Sequence, residues 1–338
     1  MNNSQAGPAS ESAAVPRAAV GMCFDRTFPA PALRDFAARL DSGGADQLWI
    51  IEDCFYTAGV SLAATALALT ERLTIGLGIL PAVARNPAIT AMEIATLANL
   101  APGRLLAGIG HGLQSWMEQI GARTPSPLTT LEEVLTVVRR LLNGEKVSFD
   151  GREVHLQDVQ LDQPPTTMPP LLAGVQGPKS LALAGRVADG VVLAEPASPS
   201  YVRWALQQAG RSGADSGSQA EFHTAVFSVV CVEDSRPAAY EYMAPWLAGL
   251  LDADNAALRV VPFHSDLLEW YRRHGREGLV RMPTDWWIEL APIGTLDDAA
   301  QHLRALEQAG VHSIGLFPPP VLAVAQRQLE HVVRLAAG

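Results

Sequence analysis

The chain has 338 residues, 48% of them hydrophobic and 18% charged, with a formal charge of −10. This is enough apolar material for one large barrel or two smaller domains. The acidic balance excludes a surface built for nucleic acid or anionic membrane, since those partners demand a basic field, and it leaves small molecules as the expected ligands.

No apolar run reaches the roughly 18 residues that a membrane-spanning helix needs. Cys23, Cys54 and Cys231 are odd in number and widely spaced, so they outline neither a disulfide framework nor a zinc site. A soluble, cytoplasmic protein is expected. Met1 to Arg17, rich in Ala, Ser, Asn and Pro, lack the basic start and apolar stretch of a signal peptide and read as a disordered tail.

From Ala18 onward, short apolar runs alternate with stretches of helical period, the pattern of parallel strands joined by crossover helices. Ala19 to Phe24 is a first strand, Pro31 to Ser42 a helix ended by Gly43 and Gly44, and Leu48 to Ile51 a second strand. A helix over Ser61 to Thr70 leads to a third strand, Leu73 to Leu80. Gly76 and Gly78 interrupt it, a sign of a bulge or of close backbone approach.

Pro87 opens a helix that runs to Leu100, and Leu105 to Ile109 is strand four. Thr129 to Asn143 carries the clearest amphipathic period. Val147 to Leu156 alternates around Asp150-Gly151, a hairpin signal. Strand five (Pro170 to Gly174), a helix (Ser180 to Arg186), strand six (Gly190 to Leu193) and another helix (Pro199 to Ala209) resume the rhythm. Strand seven is expected over Thr224 to Val232. The excursion from Glu233 to Ile293, with Trp246, Trp270, Trp286 and Trp287, reads as an insertion or lid that shapes the substrate pocket. Leu296 to Gln308 forms a helix, and Ser313 to Phe317 is strand eight.

Eight strands with intervening helices in one chain predict a single (β/α)₈ TIM-barrel domain over 18–338, with 233–293 inserted after strand seven. The active site of such a barrel lies where the strands end. After strand five stands Gly174-Val175-Gln176-Gly177-Pro178-Lys179-Ser180. A helix N-terminus there offers unpaired N–H groups, and glycines let a phosphate approach the backbone. A plain helix cap is the alternative, although it needs neither the lysine nor paired glycines.

After strand four stands His111 between Gly110 and Gly112, followed by Trp116. Strand two is followed by Glu52, Asp53 and Cys54, and strand six by Glu195-Pro196. His111, Asp53, Glu195 and Glu52 are therefore the catalytic candidates, each also readable as a capping or loop residue. Trp286, Trp287 and Glu289 either cover the pocket or pack the insertion onto the barrel. No metal-ligating motif occurs among the histidines.

Three segments carry a resemblance: Ile75 to Pro81 with Arg85-Asn86-Pro87, Gly103-Arg104 through Gly112, and Gly177-Pro178-Lys179-Ser180 through Ala184-Gly185 to Ala188-Asp189-Gly190. Together they resemble the luciferase-like group of flavin- and coenzyme F420-dependent oxidoreductases, most closely its methylenetetrahydromethanopterin reductase-like branch. The resemblance covers nearly the whole barrel. It implies a non-proline cis peptide at Gly78-Ile79 against a deazaflavin ring, Asp53, His111 and Gly112 near that ring, a phosphate at Gly174 and Gly177 to Ser180, and a homodimer. Cys54 stands where several alcohol-oxidising members carry His, which tilts the expected reaction toward reduction.

The expected activity is an F420H₂-dependent reduction of a C=C or C=N bond in a small molecule or modified peptide, with His111 as the first proton donor considered and Glu195 or Glu52 the second. The alternatives are an FMNH₂-dependent monooxygenase and a catalytically silent flavin-binding barrel.

Overall fold

The apolar runs become strands because each is covered on both faces, by side chains inside a barrel and by helices outside it. In a computed structural model, which describes residues 17–211 and 222–338, they are β1 Ala19–Phe24, β2 Gln47–Ile50, β3 Thr74–Pro81, β4 Leu105–Gly110, β5 Leu171–Gly174, β6 Gly190–Leu193, β7 His223–Val229 and β8 Ser313–Phe317. All pair in parallel with their neighbours in sequence, and β8 closes on β1 with Ala19 beside Ser313. This is the expected (β/α)₈ barrel.

Its outer ring is α1 Leu33–Gly43, α2 Gly59–Leu69, α3 Pro87–Leu100, α4 Pro127–Leu142, α5 Pro178–Val187, α6 Pro199–Gln208, α7 Leu296–Gln308 and α8 Leu322–Ala337. The last of these, and a short helix Gln114–Gln119, were not among the predicted elements. Among the described residues no helix is long and apolar enough to cross a membrane. The tail expected over Met1 to Arg17 lies outside the described residues except for Arg17, whose guanidinium donates to Asp46 and to the Ala336 carbonyl, each at 2.8 Å.

Inside the barrel, Trp49 from β2 meets Phe227 from β7 edge to face, with centroids 5.1 Å apart. Their bulk demands bare backbone opposite: a Cβ on Gly76 would stand 2.2 Å from the Trp49 ring, and one on Gly315 would stand 2.9 Å from both rings. The Trp49 indole N–H donates to Gln47 Oε1 (2.9 Å), and Gln47 Nε2 donates to Ser313 Oγ (2.7 Å), so these buried polar groups are satisfied. The hairpin forms as Val147–Asp150 against His155–Val159, three residues longer than predicted. The Glu133 carboxylate of α4 accepts three backbone N–H groups of its turn, those of Arg152, Glu153 and Val154.

Strand seven ends earlier than its apolar run. After Val229 the chain leaves the barrel wall, and Cys231–Val232 pairs in parallel with Ile293–Gly294. The insertion therefore departs and returns at one point. Between those ends lie helices Arg236–Asp252, His264–Leu279 and Thr284–Leu290, with an apolar cluster of their own around Met243, Leu247, Leu267, Trp287 and Leu290. Trp287 is fully buried, stacks on Tyr240 at 4.9 Å and donates its indole N–H to the Leu279 carbonyl. Trp286 stacks on Phe263 at 4.8 Å.

Polar clamps tie this unit to the barrel. Arg236 donates to both carboxylate oxygens of Asp298 on α7 at 2.9 Å, and Glu289 accepts the Ser200 N–H in the first turn of α6 at 3.0 Å.

His302 of α7 lies fully buried at this junction, where its Nδ1–H donates to the Ile288 carbonyl at 2.6 Å and burial holds its pKa down to about 4. The native state therefore refuses a proton that the unfolded chain accepts near pH 6.5. Stability present at neutral pH is lost as pH falls from 6.5 toward 4, by at most about 3 kcal/mol. Urea melts across that window should show a steeper loss for the wild type than for His302→Asn, which keeps a donor and does not titrate.

Candidate active site

A cavity of about 430 Å³ opens where the strands end, and the segments singled out after β2, β4, β5 and β6 all reach it. Its floor is set by the bulge of β3. Pairing with β4 shifts between Leu77 and Leu80, and the Gly78-Ile79 peptide is cis, as the resemblance implied; Glu195-Pro196 is also cis. The Ile79 side chain turns inward over β4 and β5, into space left by three glycines. A Cβ would stand 2.7 Å from its Cγ2 at Gly108, 2.3 Å from its Cδ1 at Gly110 and 2.2 Å from its Cδ1 at Gly174. Val192, Phe227 and Phe317 complete the apolar lining beside it.

At the end of β2, Glu52 and Asp53 take different partners. Both oxygens of Glu52 accept from Arg85 Nη2 at 2.9 Å, and Oε2 also accepts the Gly59 N–H at the start of α2 (2.7 Å); Arg85 is shared with Glu93. Glu52 is thus a fixed acceptor that shapes the loop. Asp53 pairs with Arg26, whose guanidinium also lies over the rings of Tyr56 (5.2 Å) and Trp116 (5.6 Å). Burial raises the Asp53 pKa, and the Arg26 guanidinium opposes the rise. Cys54 lines the same wall, with its pKa raised by burial and then by the two neighbouring carboxylates, so it stands as a thiol.

His111, at the end of β4, has both ring nitrogens engaged. Nδ1–H donates to the Pro127 carbonyl at 3.2 Å, and Nε2, left as the acceptor, receives the Ser180 hydroxyl at 3.0 Å. Burial lowers its pKa, against the Pro127 contact. The imidazole is therefore neutral and offers no proton to the cavity. Gly112, at φ 71, turns the chain away behind it.

Glu195, after β6, differs from the other two carboxylates. It lines the cavity, has no side-chain partner on another described residue, and its pKa is raised by burial, with its own backbone N–H and Arg26 opposing. It is the group best suited to hold a transferable proton.

The turn after β5 delivers Gly174, Val175, Gln176, Gly177 and Ser180 to the cavity, whereas Pro178 and Lys179 are exposed and outside its lining. Helix α5 begins at Pro178, two residues before the predicted start, so the N–H groups of Lys179 and Ser180 have no acceptor within the helix. A Cβ on Gly177 would meet nothing within 4 Å, and the Gln176 carbonyl is held by the Tyr201 hydroxyl at 3.2 Å. Open space, bare backbone and unpaired N–H groups make a cradle that fits a phosphate.

No described residue of the insertion lines the cavity. Of the two expectations for these residues, the contacts support packing: Trp286 and Trp287 lie in the insertion's own core and Glu289 is bonded to α6. Arg26 and Arg85 are functional neighbours of the site beyond the candidates that the strand-end loops suggested. Arg26 follows β1 by two residues, and the strand-end rule would have found it. Among the described residues no three His, Cys, Asp or Glu side chains are grouped to hold a metal ion.

The sequence model of the luciferase-like monooxygenase family matches residues 5–313. The chain is 27% identical over 292 residues to a 5,10-methylenetetrahydromethanopterin reductase of Archaeoglobus fulgidus, covering 81% of this chain and 85% of that one. With the enzyme of the same name from Methanolobus tindarius it shares 33% over 174 residues, 51% of this chain and about half (53%) of the relative's length. In fold it is similar to the coenzyme F420 dependent tetrahydromethanopterin reductase of Methanopyrus kandleri, with a TM-score of 0.74 at 20% identity over 94% of this chain and 98% of that one.

The glycines make opposite predictions. Gly110→Ala drives a Cβ into Ile79 and to 2.7 Å from the Gly174 carbonyl oxygen, which cannot yield, and should destabilise the chain by about 1–3 kcal/mol in urea unfolding. Gly177→Ala should stay within about 0.5 kcal/mol of wild type, yet weaken the binding of a phosphate-bearing cofactor.

Proposed function

The chain belongs to the luciferase-like monooxygenase family, and from that premise we propose that it is a coenzyme F420-dependent oxidoreductase. Its activity is F420H₂-dependent reduction of a C=C or C=N bond in a small molecule or modified peptide. One observation carries this reading: a phosphate cradle and an unpaired carboxyl of raised pKa line the same cavity. The reductase relatives support the choice of cofactor.

Gly177, Pro178, Lys179 and Ser180 would hold the phosphate, while Gly78, Ile79, Gly174, Val175 and Gln176 would line the ring portion and Asp53, His111 and Gly112 flank it. When bound, F420H₂ supplies a hydride, chemistry that no side chain provides. The protein contributes placement, exclusion of water by the apolar floor, and a proton. Glu195 holds that proton. The first role considered for His111, as the acid, passes to Glu195, because His111 is neutral and its ring N–H is bonded to Pro127. His111 instead fixes the Ser180 hydroxyl at the cradle, and Glu52 holds the β2 loop through Arg85.

The sign of the pH dependence follows. A raised Glu195 pKa keeps the acid form to higher pH than an ordinary glutamate, so turnover should hold below that pKa and fall as pH rises through it. Glu195→Gln should lower kcat by about 10²- to 10⁴-fold and remove this basic limb. Unchanged turnover in Glu195→Gln and His111→Ala would remove the assigned mechanism, and no turnover in any variant or wild type would favour the silent barrel.

The family's monooxygenase members favour a second reading, FMN with oxygen chemistry. Gel filtration after separate incubation with F420 and FMN, read by retained absorbance, distinguishes them: F420 should be retained, and tight FMN with no F420 would reverse the assignment.

A cytoplasmic homodimer completes the proposal. Helix α2 carries no charged residue, and α3, packed beside it, exposes Ile89, Met92 and Leu100, the last 65% accessible. In sedimentation, Met92→Glu should shift the wild-type dimer toward monomer.

A further inference from the structure

The charges around the cavity are unequal in a way that bears on the substrate. Among the described residues lining it there is no lysine or arginine, yet there are three carboxyl groups, Glu52, Asp53 and Glu195. Arg85 neutralises the first and Arg26 the second. Asp25, the residue that follows the end of β1 and precedes Arg26, accepts the N–H and hydroxyl of Thr27 (2.8 and 2.6 Å) and adds a further negative charge near Arg26 and Glu195. The feature that favours an anion, the start of α5, is already taken by the cofactor phosphate in the reading above.

Glu195 is the lining carboxyl with no partner on another described residue, and it is partly buried in the cavity wall. An unpartnered polar group of this kind is completed by a ligand that shares its proton. A basic nitrogen does so in either protonation arrangement, as an acceptor for the acid or as a cation beside the carboxylate. The surrounding field favours the same choice: with Asp25 and Asp53 set against one arginine, positive charge on a ligand is stabilised, whereas a carboxylate or phosphate meets like charge and no free cation. Much of the remaining surface is apolar, from Ile79, Val192, Phe227 and Phe317 within to the exposed Leu113, 53% accessible, on the loop after β4.

We infer that the substrate is an apolar molecule bearing a basic nitrogen, bound through a proton shared between that nitrogen and Glu195, and that anionic compounds are rejected. This rests on the reading of the cavity as the enzyme's substrate site and narrows it from C=C or C=N toward C=N.

Calorimetric titration of the full chain with three flat probes tests it without turnover: 3,4-dihydroisoquinoline, a cyclic imine; 1,2-dihydronaphthalene, its uncharged carbocycle; and 2-naphthoate. The imine should bind at least about ten-fold tighter than either of the others, the ratio expected for one charge-assisted hydrogen bond. Glu195→Gln should bring imine and carbocycle within about two-fold while leaving the carbocycle's affinity as it was. If that variant does not fold, Glu195→Asp and the wild-type ranking carry the comparison. Naphthoate binding as tightly as the imine, or an imine preference that survives in Glu195→Gln, overturns the inference. Its failure is separable from that of the proposed function: F420 retention with no imine preference removes only the inference, and an imine preference without F420 retention removes only the cofactor assignment.

Discussion

The seating of Ile79 against the glycines of β4 and β5 is the contact on which the site depends. Strand β3 leaves its regular register at Gly78-Ile79, and the displaced side chain occupies the volume that Cβ atoms of Gly108, Gly110 and Gly174 would fill. Protein interiors are packed closely enough that such a volume holds one or the other. Bare backbone on two strands and a bulge on the third therefore form one device. Trp49 and Phe227 fill the barrel beside it, so the cavity begins at Ile79 and extends outward to the loops, where the polar groups stand.

Above that floor, the three carboxyl groups are separated by their partners. Arg85 fixes Glu52 and joins the start of α2 to the β2 loop. Arg26, held between Tyr56 and Trp116, joins the loops after β1, β2 and β4 through Asp53. Glu195 has neither kind of partner, and burial raises its pKa against its own backbone N–H and the more distant Arg26. Identical chemistry thus divides into two carboxyl groups fixed by arginines and one left without such a partner, by environment alone. His111 is separated in the same way: a carbonyl on one side and a hydroxyl on the other fix its tautomer and leave it neutral.

The insertion shows how composition leaves place undecided. Tryptophans and a glutamate in a long excursion after strand seven read equally as a cover for the pocket or as packing of the insertion onto the barrel. The rings build a small core of their own, and its polar contacts, Arg236 to Asp298 and Glu289 to Ser200, fasten it to the flanks of α6 and α7. Aromatic side chains bury wherever enough apolar surface surrounds them, and sequence spacing does not say against which neighbour.

The sequence by itself determined the strand and helix rhythm, the barrel it closes into, and the position of each candidate on a loop at the strand ends, because hydrophobic period and turn chemistry are local properties. Gly76 and Gly78 were visible as breaks in an apolar strand, and the turn at 174–180 as a helix start. Only the tertiary structure decided that Gly108, Gly110 and Gly174 all receive one isoleucine, that Arg26 and Arg85 neutralise two of three acids, that His111 is an acceptor, and that strand seven stops at Val229 to begin a separate pair. Each of these depends on atoms brought together from distant parts of the chain, where partner, burial and field are set by neighbours that no local pattern encodes.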